Sequence, residues 1–321
     1  MHSRSGTLEA VPPFEFQRSL DFIKGFRPMA GEQHVGEGAL TKAIIVDGKP
    51  LLFRVKSAGE GQLPLGYELF SEEELPDQTA KSAADQISFF LSLDDNIRPF
   101  YEIAEKDPKF YPTVQQLWGL HHVKFSSLLE ISCWAILAQR IQRPIAQRAK
   151  RAITEKFGAS LELEGRTYWA FPDYGRLRQA TPSQLRLATQ NQRIAERLDS
   201  LLTNFEDLDE HFLKTAPYEK ASERLQRVKG IGEWSAQFIL FRGLGRMERL
   251  QYNMKPVTRM MEAIYGPGKT LDEINGQYGR WSGYWSLYLW GSSMVSRSEE
   301  EDGGSSSSSA PPPSAGAPVR S

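Results

Sequence analysis

A small α+β unit followed by an all-helical domain is what this sequence predicts, and three observations carry the prediction. Two apolar runs flank an Asp-Gly pair at residues 47 and 48. From about residue 83 onward apolar residues recur at helical spacing, with no strand series among them. The last stretch, residues 299–321, is built of Ser, Pro, Gly and acidic residues and has too little apolar content to join either part.

Taken in order, residues 1–12 are expected to be loose. Residues 13–80 form the α+β domain. Within it Phe16, Leu20 and Ile23 share a helical face, and AIIVDGKPLLFRV reads as two strands joined by Asp47-Gly48. An acidic run, Glu72 to Glu74 followed by Pro76 and Asp77, breaks the chain before the next element. Residues 81–298 form the all-helical domain. Ser127 and Glu130 have capping-box spacing ahead of LLEISCWAILAQRI. Pro144 opens the next helix and Gly158 closes it. Thr181-Pro182 starts another, with Leu185 and Leu187 marking its buried side. Further helices are expected over 191–204, 218–228, 233–243, 255–265 and 281–290. Residues 299–321 are expected to be a disordered tail.

The chain has 321 residues with 40% hydrophobic and 25% charged content, a globular composition long enough for two domains. One cysteine, Cys133, excludes a disulfide framework, a Cys-ligated iron–sulfur cluster and a Cys-rich zinc site. No apolar run reaches the roughly 18 residues of a membrane span, and the N-terminus lacks the apolar stretch of a signal peptide. The expectation is a soluble intracellular protein, cytoplasmic and nucleoid-associated, not secreted. Charge is uneven along the chain. Residues 1–110 carry 12 Lys and Arg against 18 Asp and Glu, whereas residues 111–298 carry 26 against 18. A basic helical domain suits a polyanionic partner, or simply an Arg-rich solvated surface.

The most informative stretch is LQRVKGIGEWSAQFILFRGLGR, residues 225–246. Gly230 and Gly232, two apart with an apolar residue between them, build a tight turn between two helices. Backbone amides of the turn and of the second helix's N-terminus then face one way, which suits a phosphate oxygen and reads no base. Lys229 adds charge, while Val228 and Ile231 are expected to point inward and hold the turn. The plain alternative is an αα-hairpin that uses glycine for its bend. Trp234 and Phe238 lie one turn apart and share a face of the second helix.

This hairpin, with ISFFLSLDDNIRPFYEIAEKDPKFYPTVQQLWGLHHVKFSSLLEISCWAILAQRIQ before it and YWAFPDYGRLRQATPSQLR between, resembles the helix-hairpin-helix DNA glycosylases, most closely their alkylbase branch. The resemblance covers roughly residues 13–292 and makes the second domain an all-α helix-hairpin-helix glycosylase core. It implies an enzyme of base excision repair that flips a damaged base out of duplex DNA and hydrolyses its N-glycosidic bond. Alkylated purines of the 3-methyladenine and 7-methylguanine type are the implied substrates. It implies a base pocket of Trp234, Phe238 and Tyr284, and phosphate contacts at Val228, Lys229, Gly230, Ile231 and Gly232. Family members that also nick the strand carry Lys where this chain has Trp234, so activity without a lyase step is implied. No cofactor is required. A structural Na⁺ or K⁺ is implied at the backbone carbonyls of Gln226, Val228 and Ile231. The partner is double-stranded DNA with a damaged base, met by a monomer, with no membrane.

One position departs from the family. Its catalytic Asp falls on Met254, in ERLQYNMKP, where no carboxylate stands within five residues on either side. At about 4 Å and an effective dielectric of about 20, a carboxylate–cation pair contributes roughly 4 kcal/mol, on the order of a thousandfold in rate. Glu248 is the weak substitute candidate, and Asp272 a more remote one. The alternative reading is therefore a catalytically inactive lesion- or DNA-binding protein on the same scaffold. Four other features carry less weight. His121-His122 lacks a third ligand. Gln139-Arg140 resembles the place where family members reach into DNA. Arg143, Arg148, Lys150 and Arg151 read as a solvated helix face. Cys133 has apolar neighbours and reads as buried.

Overall fold

The computed structural model describes residues 1–26, 32–57, 59, 63–250 and 255–292. The chain opens with β1 (His2–Leu8) and α1 (Phe16–Gly25), followed by β2 (Gln33–Gly36), β3 (Ala39–Val46), β4 (Lys49–Ser57) and β5 (Leu65–Ser71). These strands form one antiparallel sheet in the order β1-β5-β4-β3-β2. Asp47 and Gly48 both take positive φ, 50° and 76°, the backbone that a two-residue hairpin turn demands. Pairing runs outward from Val46 opposite Lys49 to Ala39 opposite Lys56. On α1, Phe16, Leu20 and Ile23 are all buried, as their spacing requires.

The expectation that residues 1–12 are loose is corrected by β1. This strand is polar and mostly exposed, so it shows no apolar alternation. It is held by backbone pairing with β5 along its whole length and by Arg4, which reaches the Asp77 carboxylate (2.5 Å) and the Leu75 carbonyl (3.0 Å).

The helical part continues with α2 (Asp77–Leu91), α3 (Arg98–Ala104), α4 (Tyr111–Gln116), α5 (Leu128–Leu137) and α6 (Arg143–Phe157). It is not all-helical: β6 (Ala159–Leu163) and β7 (Arg166–Ala170) form a hairpin between helices. Leu161, Tyr168 and Ala170 from that hairpin pack on Ala43 and Leu52 of the main sheet, and Glu164 at its turn meets Arg54 at 2.6 Å. Then come α7 (Tyr174–Leu177), α8 (Pro182–Thr189), α9 (Gln192–Thr203), α10 (Glu210–Thr215), α11 (Tyr218–Gln226) and α12 (Glu233–Leu244). The series ends with α13 (Lys255–Tyr265), α14 (Leu271–Tyr278) and α15 (282–292).

Three local expectations change. Ser127 caps α5 through the Glu130 amide (3.1 Å), but the Glu130 carboxylate does not return to complete a capping box. Leu185 is buried, whereas Leu187 is 64% exposed, because two residues along a helix turn to nearly opposite sides. Lys150 is not on a solvated face: it is 1% exposed and its ammonium lies 2.6 Å from Glu32 and 2.7 Å from Glu130.

That buried cluster joins the sheet unit to the helices, with Lys42 of β3 also 3.7 Å from Glu32. Burial works against the charge on Glu130, yet Lys150 and Lys42 outweigh it and hold the carboxyl down at about 2. One contiguous apolar core runs through both units. The two are therefore packed parts of one body, with the α11–α12 hairpin at the surface.

Candidate nucleic-acid interface

The turn between α11 and α12 is built as its sequence requires. Val228 and Ile231 are each 3% exposed, and the Ile231 amide donates to the Val228 carbonyl at 3.0 Å. Gly230 has φ of 101°, and a Cβ there would stand 2.7 Å from Arg197 Cγ. Both facts penalise a side chain at that position. Gln139, at the end of α5, braces the turn from below. Its Nε2 donates to the Gly230 carbonyl (2.6 Å) and to Ser235 Oγ (3.0 Å), while its Oε1 accepts from the Arg197 guanidinium.

Gly232 is the N-cap of α12 and offers no side-chain cap, so the first-turn amides of α12 stay open. A Cβ on Gly232 would meet nothing within 4 Å. Gly232 and Lys229 are exposed beside this amide cluster. Such a surface attracts an anion through fixed dipoles and one ammonium. Glu233, in the first turn, works the other way for a phosphate. Arg140, next to Gln139, is exposed with φ of 54°.

Trp234 projects from the start of α12 with 43% of its surface exposed. Its ring stacks on Phe238 at 5.2 Å and 10°. From Phe238 the rings continue inward through Phe125 (6.5 Å), Phe26 (6.0 Å) and Phe22 (5.5 Å). Arg242, one turn beyond Phe238, lies over Phe26 at 4.4 Å and over Phe22 at 5.0 Å. It is 4% exposed, and among the described residues neither Nε nor Nη2 has a hydrogen-bond partner. Burial alone lowers its pKa to about 9. Close by, His122 is fully buried against the Phe241 ring (5.1 Å), and neither ring nitrogen has a partner among the described residues. Burial first, then the charges of Arg242 and Lys124, push its pKa well below the usual value.

Of the residues expected from sequence, the turn brings Val228, Lys229, Gly230, Ile231 and Gly232 together, and α12 brings Trp234 and Phe238 together. Tyr284 is elsewhere. It is 1% exposed, its ring neighbours are Phe100 and Trp281, and its hydroxyl donates to Asp95. It stands in the core as a packing residue rather than on the exposed ring pair. Glu248 is also set aside as an acid. Arg246 holds it at 2.7 and 2.5 Å while donating to the carbonyls of Leu213 and Ala216, so the carboxylate is committed to a structural fork. Asp272 sits in the exposed first turn of α14. Met254, the position of the family's Asp, lies outside the described residues.

Gln139 does not reach outward, because both ends of its amide are engaged at the turn; Arg140 is the outward residue of that pair. The two ring nitrogens of His121 face the carbonyls of Ser92 (2.6 Å) and Pro13 (3.0 Å), and no group of three metal-ligating side chains occurs among the described residues. Cys133 is buried, and burial pushes its thiol pKa up. For the monovalent cation, Val228's carbonyl already accepts one amide, and Gln226 ends α11, where helix carbonyls run out of internal donors. Backbone oxygens of this kind fit a hard cation. Sequence reasoning passed over Arg242 and Arg197, and weighed His122 only as half of a metal pair; a charged residue inside the apolar run FILFRGL was the available signal for Arg242.

No family model matches the chain. It is 28% identical over 208 residues to the DNA-3-methyladenine glycosylase of Bacillus subtilis, which covers 63% of this chain and 69% of that one. Among solved structures, the 3-methyladenine DNA glycosylase of Archaeoglobus fulgidus superposes with a TM-score of 0.70 at 22% identity, covering 89% of this chain and 97% of that one. The 8-oxoguanine glycosylase/lyase of Clostridium acetobutylicum, in complex with DNA, superposes with a TM-score of 0.66 at 19% identity, covering 92% and 98%. The resemblance to helix-hairpin-helix DNA glycosylases thus holds in sequence and in fold. No described helix is long and apolar enough to cross a membrane.

Proposed function

We propose that this chain, which has the fold of the helix-hairpin-helix DNA glycosylases, is a DNA glycosylase of base excision repair. It everts a damaged base, of the alkylated purine class, from duplex DNA and hydrolyses its glycosidic bond. The observation that carries the reading is the pairing of an uncapped, amide-lined turn at Gly230–Gly232 with an exposed ring stack that begins two residues later. The turn takes one backbone phosphate without reading sequence. With that strand fixed, a nucleotide rotated out of the helix meets the Trp234 ring, whose face suits an electron-poor base. Arg140, exposed at the adjoining turn, is our candidate for the side chain that enters the space the base leaves.

Trp234 stands where a lyase would need its amine. An indole forms no Schiff base, so the product is an abasic site in an intact strand, with water as the nucleophile. Na⁺ or K⁺ at the carbonyls of Gln226, Val228 and Ile231 would stiffen the turn. The protein acts as a monomer within the cell and needs no other cofactor.

A second reading, a lesion-binding protein without catalysis, is favoured by one specific observation: Met254 stands at the position of the family's carboxylate. One experiment separates the two. Duplexes carrying 7-methylguanine or 3-methyladenine are incubated with the wild type and with Met254→Asp, and abasic sites are scored by alkaline cleavage. Strand breaks after alkali, and none before it, support the enzyme. Lesion-selective binding without abasic sites, with activity arising only in Met254→Asp, supports the binding protein. No preference for damaged duplexes in either protein overturns both.

A further inference from the structure

Away from the α11–α12 turn, three lysines line one open recess of about 500 Å³. Lys106 and Lys109 belong to the turn between α3 and α4, and Lys269 to the turn between α13 and α14. None of the recess lining comes from α11 or α12. Among the described residues, none of the three lysines forms an ion pair with a carboxylate. Like charges gathered around one space repel each other, and an anion placed among them turns that repulsion into attraction.

Two carboxylates line the same recess, and both are committed elsewhere. Asp107 is 5% exposed and accepts from the hydroxyls of Tyr265 (2.6 Å) and Tyr278 (2.9 Å), from Gln277 Nε2 (3.1 Å) and from the Phe110 amide (3.3 Å). Glu273 turns back to the Thr270 amide (2.7 Å) and hydroxyl (3.0 Å) in the capping box of α14. Those bonds, ahead of the nearby Lys269 charge, lower its pKa. The lysines themselves rest on neutral acceptors. Lys109 Nζ donates to the Tyr265 carbonyl (2.8 Å), and Lys269 Nζ donates to Gln277 Oε1 (3.4 Å) over the Tyr265 ring. An ammonium has three protons, so each of these two keeps others for a ligand.

We propose that the recess formed by Lys106, Lys109 and Lys269 is a second phosphate site, which takes an anion with more than one phosphoryl group. The donor set favours phosphate over carboxylate. Lysines act as rotatable point charges that suit a tetrahedral anion of multiple charge, whereas planar carboxylates are gripped best by the fork of an arginine, and no arginine lines the recess. The volume exceeds what one phosphate fills, so successive phosphates fit it. They are supplied either by a duplex strand beyond the one held at Gly230–Gly232 or by the phosphate chain of a free compound. The proposal goes beyond the glycosylase reading and does not depend on it.

The test compares the full chain with a Lys106→Gln, Lys109→Gln, Lys269→Gln triple variant. A second triple variant, Lys56→Gln, Lys81→Gln, Lys156→Gln, removes the same charge from exposed positions outside the recess. Glutamine keeps a donor for the Tyr265 carbonyl. Sodium tripolyphosphate is titrated into each protein by calorimetry, and an undamaged duplex is titrated by anisotropy at several salt concentrations. The recess variant is expected to bind tripolyphosphate at least about tenfold more weakly than the wild type and the control. If a duplex supplies the phosphates, the dependence of log affinity on log salt also becomes shallower than the control's by about 2–3, at about 0.9 per ammonium removed. An unchanged slope assigns the site to a free phosphate compound, and a shallower slope without tripolyphosphate binding assigns it to the duplex alone. A recess variant that matches the control in both titrations overturns the proposal. That result leaves the glycosylase reading untouched, because the abasic-site assay on lesion duplexes decides it separately.

Discussion

Replacing Gly230 with alanine tests the turn more sharply than any other single change. The new Cβ would sit 2.7 and 2.9 Å from Arg197 Cγ and Cβ, on a backbone with φ of 101°. Holding a non-glycine residue at positive φ costs about 1–2 kcal/mol. Arg197 has to move, which breaks its hydrogen bond to Gln139 at about 1 kcal/mol more. Gln139 in turn holds the Gly230 carbonyl, so the error spreads to the turn itself. The expected loss is about 2–3 kcal/mol of stability in urea unfolding. Duplex affinity, read by anisotropy at low salt, should fall about tenfold to a hundredfold as one charged amide–phosphate contact is lost. Gly232→Ala is the internal control, since nothing lies within 4 Å of its Cβ. It should change stability by less than about 1 kcal/mol. Equal losses for the two variants, or a destabilised Gly230→Ala that binds duplex like the wild type, would refute the reasoning.

Three further outcomes follow from the same geometry. Lys150→Met leaves Glu130 and Glu32 facing each other in the core and should cost about 3–5 kcal/mol, seen as a large drop in Tm. His122 has its pKa depressed by burial in the folded state, so the unfolded chain takes up the proton first. Its contribution is complete above the unfolded pKa near 6.5 and is lost as pH falls below it, at about 1.4 kcal/mol per pH unit, and His122→Gln should flatten that slope in denaturant titrations between pH 7.5 and 5.5. Glu233→Gln should act with opposite signs in two assays. It weakens the α12 N-terminus by about 0.3–1 kcal/mol while raising duplex affinity a few fold, because the carboxylate favours the helix dipole and opposes a phosphate.

The parts of the fold that were legible in the sequence are those with strong local chemistry. Asp47-Gly48 announced its hairpin through the positive φ it needs, and Thr181-Pro182 announced the start of α8. The α11–α12 turn was legible because Val228, Gly230 and Ile231 have one workable arrangement. What was not legible depends on partners distant in the chain. β1 carries no apolar alternation and exists because β5 supplies hydrogen bonds. Lys150 looks solvated until Glu32 and Glu130 arrive from other elements. The β6–β7 hairpin did leave a signal, Glu164-Gly165 between alternating apolar residues, but it was overlooked amid helices. At the site, helical spacing put Trp234 and Phe238 on one face, where their rings stack. Tyr284 lies apart from that pair, because position in a family pattern does not say which rings it packs among. Arg242 was missed because an arginine in an apolar run reads as a surface residue until its burial is seen.

The central claim is that this chain pulls a base out of duplex DNA and onto the α12 rings. Placing 2-aminopurine beside a single 7-methylguanine or 3-methyladenine and following its fluorescence measures that event directly, whether or not a bond is then cut. The account predicts that the signal rises when the wild-type chain is added to lesion duplex, and that Gly230→Ala and Trp234→Ala each suppress the rise. A lesion duplex whose fluorescence stays at the level of free DNA while the wild-type chain is bound would contradict it.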